Sequence, residues 1–473
     1  MSRARSVGSV SDRPIIRARH PNRAGQRPTL LDAWAGTLRR RGGDRAVVQA
    51  ADGVTITFRE LDKRAAAWLA RLTAAGAPRL QELQGRAVVF AAPNGIAWLE
   101  IFLGLLKAGA VAVPLDAAEP AAAQQQLAIS LCAGFRWDGT KLEALTGARR
   151  YRDPGVSLIK LTSGSTGQPR ALVFTAEQMI ADGRQVTASM GIGPRDLNYA
   201  LIPLGHSYGL GNLTIPLLAQ GVPLVCGSAP LPHAIAEDFA RWRPTVFPGV
   251  PAIWRVLAVS EVKLDSLRLG ISAGAPLAPE VAQDFTARFG RRLHSFYGSS
   301  ETGGIAYDPT GQATLTGGVG RAMHGVKLRA MRGARLRVCS AAVVTHGNRR
   351  RVGTVGAWLM PDRATVDARG HMTLLGRRGT TVKIAGRRVN LVEVTERLRR
   401  LPGVRDAWVG LSAGPEPVLG AVVASDRTAV ELRTALLADT AAWKIPKKLQ
   451  VIAALPMTAR GKTDTRALRA MVF

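Results

Sequence analysis

Apolar and polar positions in the first part of the chain follow two alternating patterns. FRELDKRAAAWLARLTAAG (58–76) carries apolar residues at helical spacing and ends on a glycine, which predicts an amphipathic helix. RAVVFAAP (86–93) is typical of a buried strand. WLEIFLGLLKAGAVAVPL (98–115) predicts a helix that runs through Gly109 into another strand. This alternation predicts an α/β fold with parallel sheets flanked by helices.

The pattern changes in the second part of the chain. Between residues 316 and 360 helical spacing gives way to short strand-like runs: KLRAM (327–331), ARLRVCS (334–340) and VGAWLM (355–360). These runs predict a small β-rich subdomain. After RRGTT (377–381), a strand, a helix and further strands predict a separate α+β unit.

The charge balance is strongly basic, with 64 Lys and Arg against 34 Asp and Glu and a formal net charge of +30. Such a balance suggests contact with polyanions, namely nucleic acid, anionic membrane or phosphorylated ligands. The basic residues are scattered, however, and only 5% of residues are aromatic. We therefore expect a solvated basic surface without specific nucleic-acid binding.

Three further features limit the location of the protein. Residues 200–226 lack Asp, Glu, Lys and Arg, but Pro203, Pro216 and Pro223 argue against a membrane span. The three cysteines are widely spaced and odd in number, which fits a reducing cytoplasm and no disulfide framework. Residues 1–28 are basic and polar, and we expect a disordered tail rather than a transit peptide.

The segment LTSGSTGQPRAL (161–172) follows a short apolar run and is rich in small and hydroxylated residues. Such a loop can surround phosphate oxygens with backbone N–H groups and hydroxyls, and Gly164 and Gly167 permit positive φ. The loop lacks the Gly-Lys-Ser/Thr ending of the Walker pattern. Taken alone, it could also be a plain turn.

A competing motif is GHSYG (205–209), which fits the nucleophile elbow of α/β-hydrolases and would make Ser207 a nucleophile. Downstream histidines are available as the base: His233, His294, His324, His346 and His371. No HGGG-type oxyanion segment precedes the motif. A serine hydrolase is therefore a weaker alternative.

Further motifs follow in a fixed order: SAGAPL (272–277), FYGSSETGG (296–304), WLMPDRATVDARGHMTLLGRRGTTVKIAGRRV (358–389) and LPMTARGKTDTRALR (455–469). Opened by LTSGSTGQPR, this succession resembles the adenylate-forming superfamily of acyl-CoA synthetases, luciferases and peptide-synthetase adenylation domains. The resemblance covers residues 30–470. It implies a large AMP-binding domain (29–376), a hinge (377–380) and a small mobile C-terminal domain (381–473) that rotates between half-reactions.

The resemblance also implies a reaction. A carboxylate attacks the α-phosphate of ATP to give acyl-AMP and pyrophosphate, and a thiol, most often that of CoA, then displaces AMP. Because the first step brings two anions together, it requires Mg²⁺, a lysine and oriented N–H donors. A separate acyl carrier protein remains an alternative acceptor to CoA.

The nucleotide-binding residues are carried over from the resemblance by position. The β- and γ-phosphates are expected at Thr162, Ser163, Gly164, Ser165, Thr166, Gly167 and Arg170. Adenine is expected beside Tyr297, Gly298, Gly274, Ala275 and Pro276, and the ribose beside Asp362 and Arg377. Ser300 is expected at the α-phosphate and Glu301 at Mg²⁺. The family usually has Lys at Arg170 and Gly at Ala171.

The remaining roles concern catalysis and the two acyl-transfer partners. Lys462 matches the lysine that contacts the carboxylate and the α-phosphate, while Gly386 and Arg388 are expected beside the thiol tunnel, with Arg388 also among the catalytic residues. The acyl pocket is expected to be lined by His206, Tyr208, Ser272, Ser295 and Phe296. No acid lies between Asp196 and Glu237, so we expect no α-ammonium group on the substrate. Aromatic acids and fatty acids both remain open.

Overall fold

The computed structural model describes residues 28–74, 78–163, 169–345, 356–377, 381–384, 387–412, 418–438, 440, 442–458 and 463–473. The first elements in chain order are α1 (Leu30–Arg41), β1 (Arg45–Gln49), β2 (Thr55–Thr57), α2 (Phe58–Ala74), α3 (Leu80–Leu83), β3 (Ala87–Ala91), α4 (Ile96–Lys107), β4 (Val111–Leu115), α5 (Ala121–Ser130), β5 (Phe135–Trp137), β6 (Leu142–Ala144), β7 (Val156–Ser163), β8 (Pro169–Thr175) and α6 (Ala176–Met190). The basic tail falls almost wholly outside the described residues.

The middle of the chain continues the alternation of strand and helix. It contains β9 (Asn198–Ala200), α7 (Ser207–Gly209), two π-helical segments (Leu210–Thr214 and Pro216–Gln220), β10 (Leu224–Cys226), α8 (Pro232–Trp242), β11 (Val246–Gly249), α9 (Pro251–Val259), β12 (Leu269–Ser272), α10 (Pro279–Phe289), β13 (Leu293–Ser299), β14 (Gly303–Tyr307), a 3₁₀ turn (Thr314–Thr316) and β15 (Arg321–Ala322).

The last part is richer in antiparallel strands. It contains β16 (Lys327–Met331), β17 (Arg335–Ser340), β18 (Gly356–Val366), β19 (Met372–Arg377), β20 (Thr381–Ile384), β21 (Arg387–Asn390), α11 (Leu391–Arg399), β22 (Val404–Leu411), β23 (Leu419–Ser425), α12 (Ala429–Leu437), a 3₁₀ turn (Ala442–Lys444), β24 (Lys448–Ile452) and α13 (Thr465–Val472).

Two large sheets form the first two thirds of the molecule. One sheet has nine strands in the order β15-β14-β13-β12-β11-β9-β10-β1-β2, and the run from β13 to β1 is parallel. The other has six strands in the order β6-β5-β3-β4-β7-β8, with β5, β3, β4 and β7 parallel. The α/β fold with parallel sheets is confirmed. Its strands are apolar on both faces, as buried parallel strands must be.

The two sheets share one apolar core. Val47 and Leu224 of the nine-stranded sheet and Val88 and Leu158 of the six-stranded sheet belong to the same buried cluster. Helix α4 lies in this cluster and is buried around most of its circumference. A helix that is apolar on all sides is stable only where neighbours cover every side. The shared core packs the two sheets into one body and so positions the loops that leave them.

The β-rich subdomain is also present. Strands β16-β17-β18-β19 form a four-stranded antiparallel sheet. Beyond it, β20 pairs with β21, and β22-β23-β24 form a separate sheet. This last region has an apolar cluster of its own that includes Val389, Val394 and Leu432. Within the described part of the chain, no helix combines the length and the apolar character that a membrane crossing requires.

Candidate active site

The expected phosphate loop connects the paired strands β7 and β8 in sequence. Thr162 pairs with Arg170 and Ser163 with Pro169 across this hairpin. The guanidinium carbon of Arg170 lies 5.3 Å from the ring centroid of Trp358, within the range of a cation–π contact. Gly164, Ser165, Thr166 and Gly167, together with the side chain of Ser163, lie outside the described residues. The structure therefore places the stem of the loop beside strand β18.

The residues expected at adenine and ribose come together from separate elements. The Tyr297 hydroxyl of β13 donates a 2.7 Å hydrogen bond to Oδ2 of Asp362 in β18. Asp362 is buried and pairs in register with Arg377 of β19, whose side chain is not described. The three residues meet although long stretches of sequence separate them.

Two glycines, Gly274 and Gly298, allow the backbone to pack closely around Tyr297. Gly274, two residues after the end of β12, has a φ of +88°, a conformation that L-residues rarely adopt. A Cβ on Gly298 would lie 2.8 Å from the carbonyl oxygen of Gly303. Strands β12 and β13 are parallel neighbours, so Gly274, Ala275 and Pro276 leave the sheet at the edge where Tyr297 lies.

The turn between β13 and β14 carries Ser300 and Glu301. The hydroxyl of Ser207 donates a 2.9 Å hydrogen bond to the Ser300 hydroxyl, and the carbonyl of Glu301 accepts one from Val344 N–H. A serine nucleophile needs a base such as an imidazole at hydrogen-bond distance. In the described structure the hydrogen-bond partner of Ser207 is a second hydroxyl, which gives no support to the hydrolase alternative.

A buried pair of opposite charges lies behind this turn. Lys160 of β7 is 4% exposed, and its ammonium lies 4.3 Å from the Phe174 ring centroid. Asp182 of α6 is 3% exposed and accepts a 2.9 Å hydrogen bond from Gly304 N–H. Burial lowers the pKa of Lys160, while Asp182 and Glu301 act on that pKa in the opposite direction. Burial raises the pKa of Asp182, and Lys160 opposes this shift.

Sequence reasoning did not identify Lys160 or Asp182 as part of the site. The available signal was a lysine at the end of the apolar run VSLIK, directly before the phosphate loop. Burial of a charge depends on packing between distant elements. A local run of apolar residues carries no information about that packing.

The residues expected at the acyl pocket also lie together. The Tyr208 hydroxyl is 3.3 Å from the carbonyl oxygens of both Gly249 and Ile271, and its ring centroid is 5.6 Å from that of Phe296. Burial raises the pKa of Tyr208 well above its usual value. Ser272, the last residue of β12, and Ser295 of β13 are buried and pair in register. Tyr208 therefore contacts three neighbouring strands of the nine-stranded sheet, β11, β12 and β13.

His206 lies on the wall of a cavity of about 290 Å³. Its Nε2 is 3.5 Å from Oδ2 of Asp116, which follows β4 in the other sheet. Asp116 is thus an acid near His206 that lies outside the segment from Asp196 to Glu237, because it comes from a distant part of the chain.

Some expected residues cannot be placed. Lys462, Gly386 and hinge residues 378–380 lie outside the described residues. The backbone of Arg388 lies in β21, opposite Lys383, but its side chain is not described.

Comparisons with known proteins agree with this geometry. A family model described as AMP-binding enzyme matches residues 34–132 and 152–343, more than half of the chain. The feruloyl-CoA synthase of an Amycolatopsis species is 26% identical over 91% of this chain and 97% of its own length.

Solved structures have the same fold. ATP-bound MatB from Rhodopseudomonas palustris has a TM-score of 0.78 at 22% identity, covering 93% of this chain and 98% of that one. The anthranilate CoA ligase AuaEII, in complex with anthranoyl-AMP, has a TM-score of 0.76 at 19% identity, covering 94% and 97%.

Proposed function

The chain belongs to the family of AMP-binding enzymes, and from this premise we propose how its residues carry out the reaction of an acid–thiol ligase. The enzyme activates a carboxylic acid with ATP to an acyl-AMP, releases pyrophosphate and passes the acyl group to a thiol, that of CoA. The observation that carries the proposed residue roles is the hydrogen bond between Tyr297 and Asp362. It joins the residue expected at adenine to the residue expected at ribose.

The nucleotide would extend from this pair towards the β7–β8 hairpin. Adenine stacks on Tyr297, and the Asp362 carboxylate accepts hydrogen bonds from the ribose hydroxyls, with Arg377 beside the same sugar. The α-phosphate reaches Ser300. The β- and γ-phosphates reach Thr162, Arg170 and the loop between them. Arg170 supplies the positive charge for which relatives usually have lysine.

Glu301 is the proposed ligand of Mg²⁺. Its carboxylate suits a hard cation, and Mg²⁺ usually takes one or two carboxylates together with phosphate oxygens. Glu301 adjoins Ser300, so the phosphate oxygens would complete the site. The described residues hold no group of three or more His, Cys, Asp or Glu side chains that could bind a metal by themselves. When bound, Mg²⁺ supplies charge neutralisation at the phosphates.

We propose an aryl acid as the substrate. The rings of Tyr208 and Phe296 contact each other, and the Tyr208 hydroxyl donates hydrogen bonds to the carbonyls of Gly249 and Ile271 that fix its ring. These two rings would form an aromatic wall of the acyl pocket. The comparison proteins include enzymes named for ferulic and anthranilic acids. A flat aromatic ring can stack against such a wall, whereas a long alkyl chain would have to pass it.

Lys462 is the proposed residue that contacts the attacking carboxylate and the α-phosphate, and the region beyond a hinge at 377–380 would bring it to the site. The separate apolar cluster around Val389, Val394 and Leu432 supports a C-terminal unit that moves as one body. Gly386 and Arg388 would then serve the thiol step. The three free cysteines fit a cytoplasmic location.

An acyl carrier protein is the second candidate acceptor. The net charge of +30 suits an acidic carrier protein as well as the phosphates of CoA. Acyl-AMP formation without any CoA ester, followed by acylation of a carrier protein, would favour this candidate.

The test is an assay of purified protein with Mg·ATP, CoA and a mixed pool of aryl and fatty acids, with products identified by mass spectrometry. We expect an aryl-CoA together with AMP, both lost in Lys462→Ala and retained in the control Lys263→Ala, which removes an exposed lysine. Absence of acid-dependent AMP across a broad pool would contradict the proposed function.

A further inference from the structure

The outer face of the sheet β16-β17-β18-β19 carries a cluster of positive charges. Along β17 and β18 buried residues alternate with more exposed ones, so one face of the sheet packs inwards and the other faces solvent. The inner face contributes Leu336, Val338 and Met360 to an apolar cluster. The outer face carries five cations, which together we call the basic sheet face: Lys327, Arg329, Arg335, Arg337 and Arg363.

No acidic residue on the sheet balances these cations. Across the described strands β16 to β19 the one acid is Asp362, which is buried and accepts the hydrogen bond from the Tyr297 hydroxyl. The ion pairs among the described residues involve other cations of the chain. Within the described structure the basic sheet face is therefore a surface of one sign.

The cations also lie opposite one another across the strands. Arg329 pairs directly with Arg337, and Arg335 pairs directly with Arg363. The Cβ atoms of such cross-strand pairs are about 5 Å apart, and like charges in these positions are destabilising. The Nε of Arg335 is in addition buried without a hydrogen-bond partner among the described residues. A bound anion would offset both costs.

Apolar side chains are exposed on the same face. Met331 pairs with Arg335 and is 42% exposed, and Leu359 pairs with Arg337 and is 39% exposed. Leu375 of β19 is exposed as well. Cations interleaved with apolar side chains match the boundary of an anionic bilayer, where charged headgroups overlie acyl chains.

Two other anionic partners fit this face less well. Proteins that bind single-stranded nucleic acid stack the bases on aromatic rings. In strands β16 to β19 the one aromatic residue is Trp358, which pairs with the buried Val338 and packs against two apolar clusters. An acidic carrier protein has to deliver its thiol to the active site, whereas it is the inner face, with Asp362, that is turned to that site.

We propose that the basic sheet face attaches the protein to an anionic lipid surface. The guanidinium and ammonium groups would lie at the lipid headgroups, and Met331, Leu359 and Leu375 would reach the boundary of the acyl chains. Because Asp362 lies on the opposite face of the same sheet, the attached surface would be turned away from the nucleotide site. This inference goes beyond the proposed function and does not depend on it.

Co-sedimentation of the full chain with lipid vesicles tests the proposal. The probe is a vesicle in which about one lipid in four is phosphatidylserine, and the reference is a vesicle of phosphatidylcholine alone. The test variant is Lys327→Gln/Arg329→Gln/Arg337→Gln, which replaces three exposed side chains. Each cation near an anionic bilayer contributes roughly fivefold to the binding constant, so we expect the three substitutions together to weaken binding about 100-fold.

Arg71→Gln/Arg255→Gln/Lys263→Gln is the matched control. It removes two arginines and one lysine that are exposed elsewhere on the molecule, so the net charge falls by the same amount. The basic residues 1–28 are present in both variants. We expect the control to lose less than about fivefold in binding. In thermal unfolding the test variant should be at least as stable as the wild type, because it removes the opposition of Arg329 and Arg337.

Met331→Ser/Leu359→Ser tests the apolar part of the proposal. Every cation stays in place, so attraction to a polyanion by charge alone would be unchanged. A lipid surface also takes up apolar side chains, and we therefore expect binding to the phosphatidylserine vesicles to weaken by about fivefold or more.

Three results would overturn the inference. The first is a wild-type protein that binds phosphatidylserine vesicles no better than phosphatidylcholine vesicles. The second is an equal loss in the test variant and the matched control, which would mean that net charge alone decides. The third is unchanged vesicle binding of Met331→Ser/Leu359→Ser, which would favour a nucleic acid or an acidic protein as the partner. None of these measurements uses ATP or a carboxylic acid, so their failure leaves the proposed function unaffected.

Discussion

Lys160 and Asp182 are charged residues that packing has placed inside the core beside the turn of Glu301. Asp182 fills a narrow space, since a Cβ on Gly303 would lie 2.2 Å from its Oδ1 and a Cβ on Gly211 would lie 2.8 Å from its Oδ2. An isolated charge in such a place is costly, and each of the two groups opposes the pKa shift that burial causes in the other. The pair therefore links the stability of the core to the position of the proposed Mg²⁺ ligand.

Removal of Lys160 alone should be more costly than removal of both charges. Lys160→Met leaves Asp182 buried without its cation, and we expect the free energy of unfolding to fall by about 3–5 kcal/mol. Lys160→Met/Asp182→Asn should recover much of that loss. Denaturant unfolding of the wild type and the two variants measures both effects. A double variant no more stable than Lys160→Met would contradict the coupling.

The Tyr297–Asp362 hydrogen bond predicts a difference between two substitutions at the nucleotide site. Asp362→Asn weakens the acceptor for the ribose hydroxyls, and we expect KM for ATP to rise by about tenfold, the equivalent of about 1.4 kcal/mol. Tyr297→Phe keeps the stacking ring and removes only the hydroxyl, so its effect should be smaller. Pyrophosphate exchange at varied ATP concentration distinguishes them. An equal or larger effect of Tyr297→Phe would argue against a ribose contact by Asp362.

At the scale of elements, local sequence patterns could predict helices and strands but not which elements pack beside each other in the fold. Helices α2 and α4 and strand β3 were predictable because the spacing of apolar residues, or an unbroken run of them, is a local property of the sequence. The order of strands in the sheets depends on contacts between distant segments. For the same reason the sequence could suggest Tyr297 and Asp362 through ordered motifs, whereas it gave no sign that Asp116 lies beside His206 or Asp182 beside Gly304.

The turn that carries His206 and Ser207 depends on close backbone packing. A Cβ on Gly209 would lie 2.0 Å from the carbonyl oxygen of Pro203. Gly209→Ala should open this turn, lower the free energy of unfolding by about 1–3 kcal/mol and displace both side chains, so that AMP formation falls.

Gly193→Ala is the control, because a Cβ there meets nothing within 4 Å. It should be close to neutral. Thermal unfolding and AMP release are measured in both variants. Full activity of Gly209→Ala would mean that the turn does not determine the position of His206.

At the scale of the whole molecule, the net charge of +30 should influence how the anionic acceptor arrives. The Debye length falls from about 10 Å at 0.1 M salt to about 3 Å at 1 M. We expect thioester formation at low CoA concentration to slow as salt rises. Pantetheine, which has the same thiol arm but no phosphates, is the control and should respond little. Equal salt dependence for CoA and pantetheine would contradict electrostatic guidance.

If a carboxylate oxygen attacks the α-phosphate of ATP, one oxygen atom of the acid passes to AMP, and isotope labelling follows that transfer. The acid identified in the pooled assay is labelled with ¹⁸O in both carboxyl oxygens and incubated with the protein, Mg·ATP and CoA. Mass spectrometry of the nucleotide products then locates the label. We expect AMP that carries one ¹⁸O atom, with the other retained in the acyl-CoA. Unlabelled AMP, or ADP with ¹⁸O in inorganic phosphate, would contradict activation through an acyl-AMP.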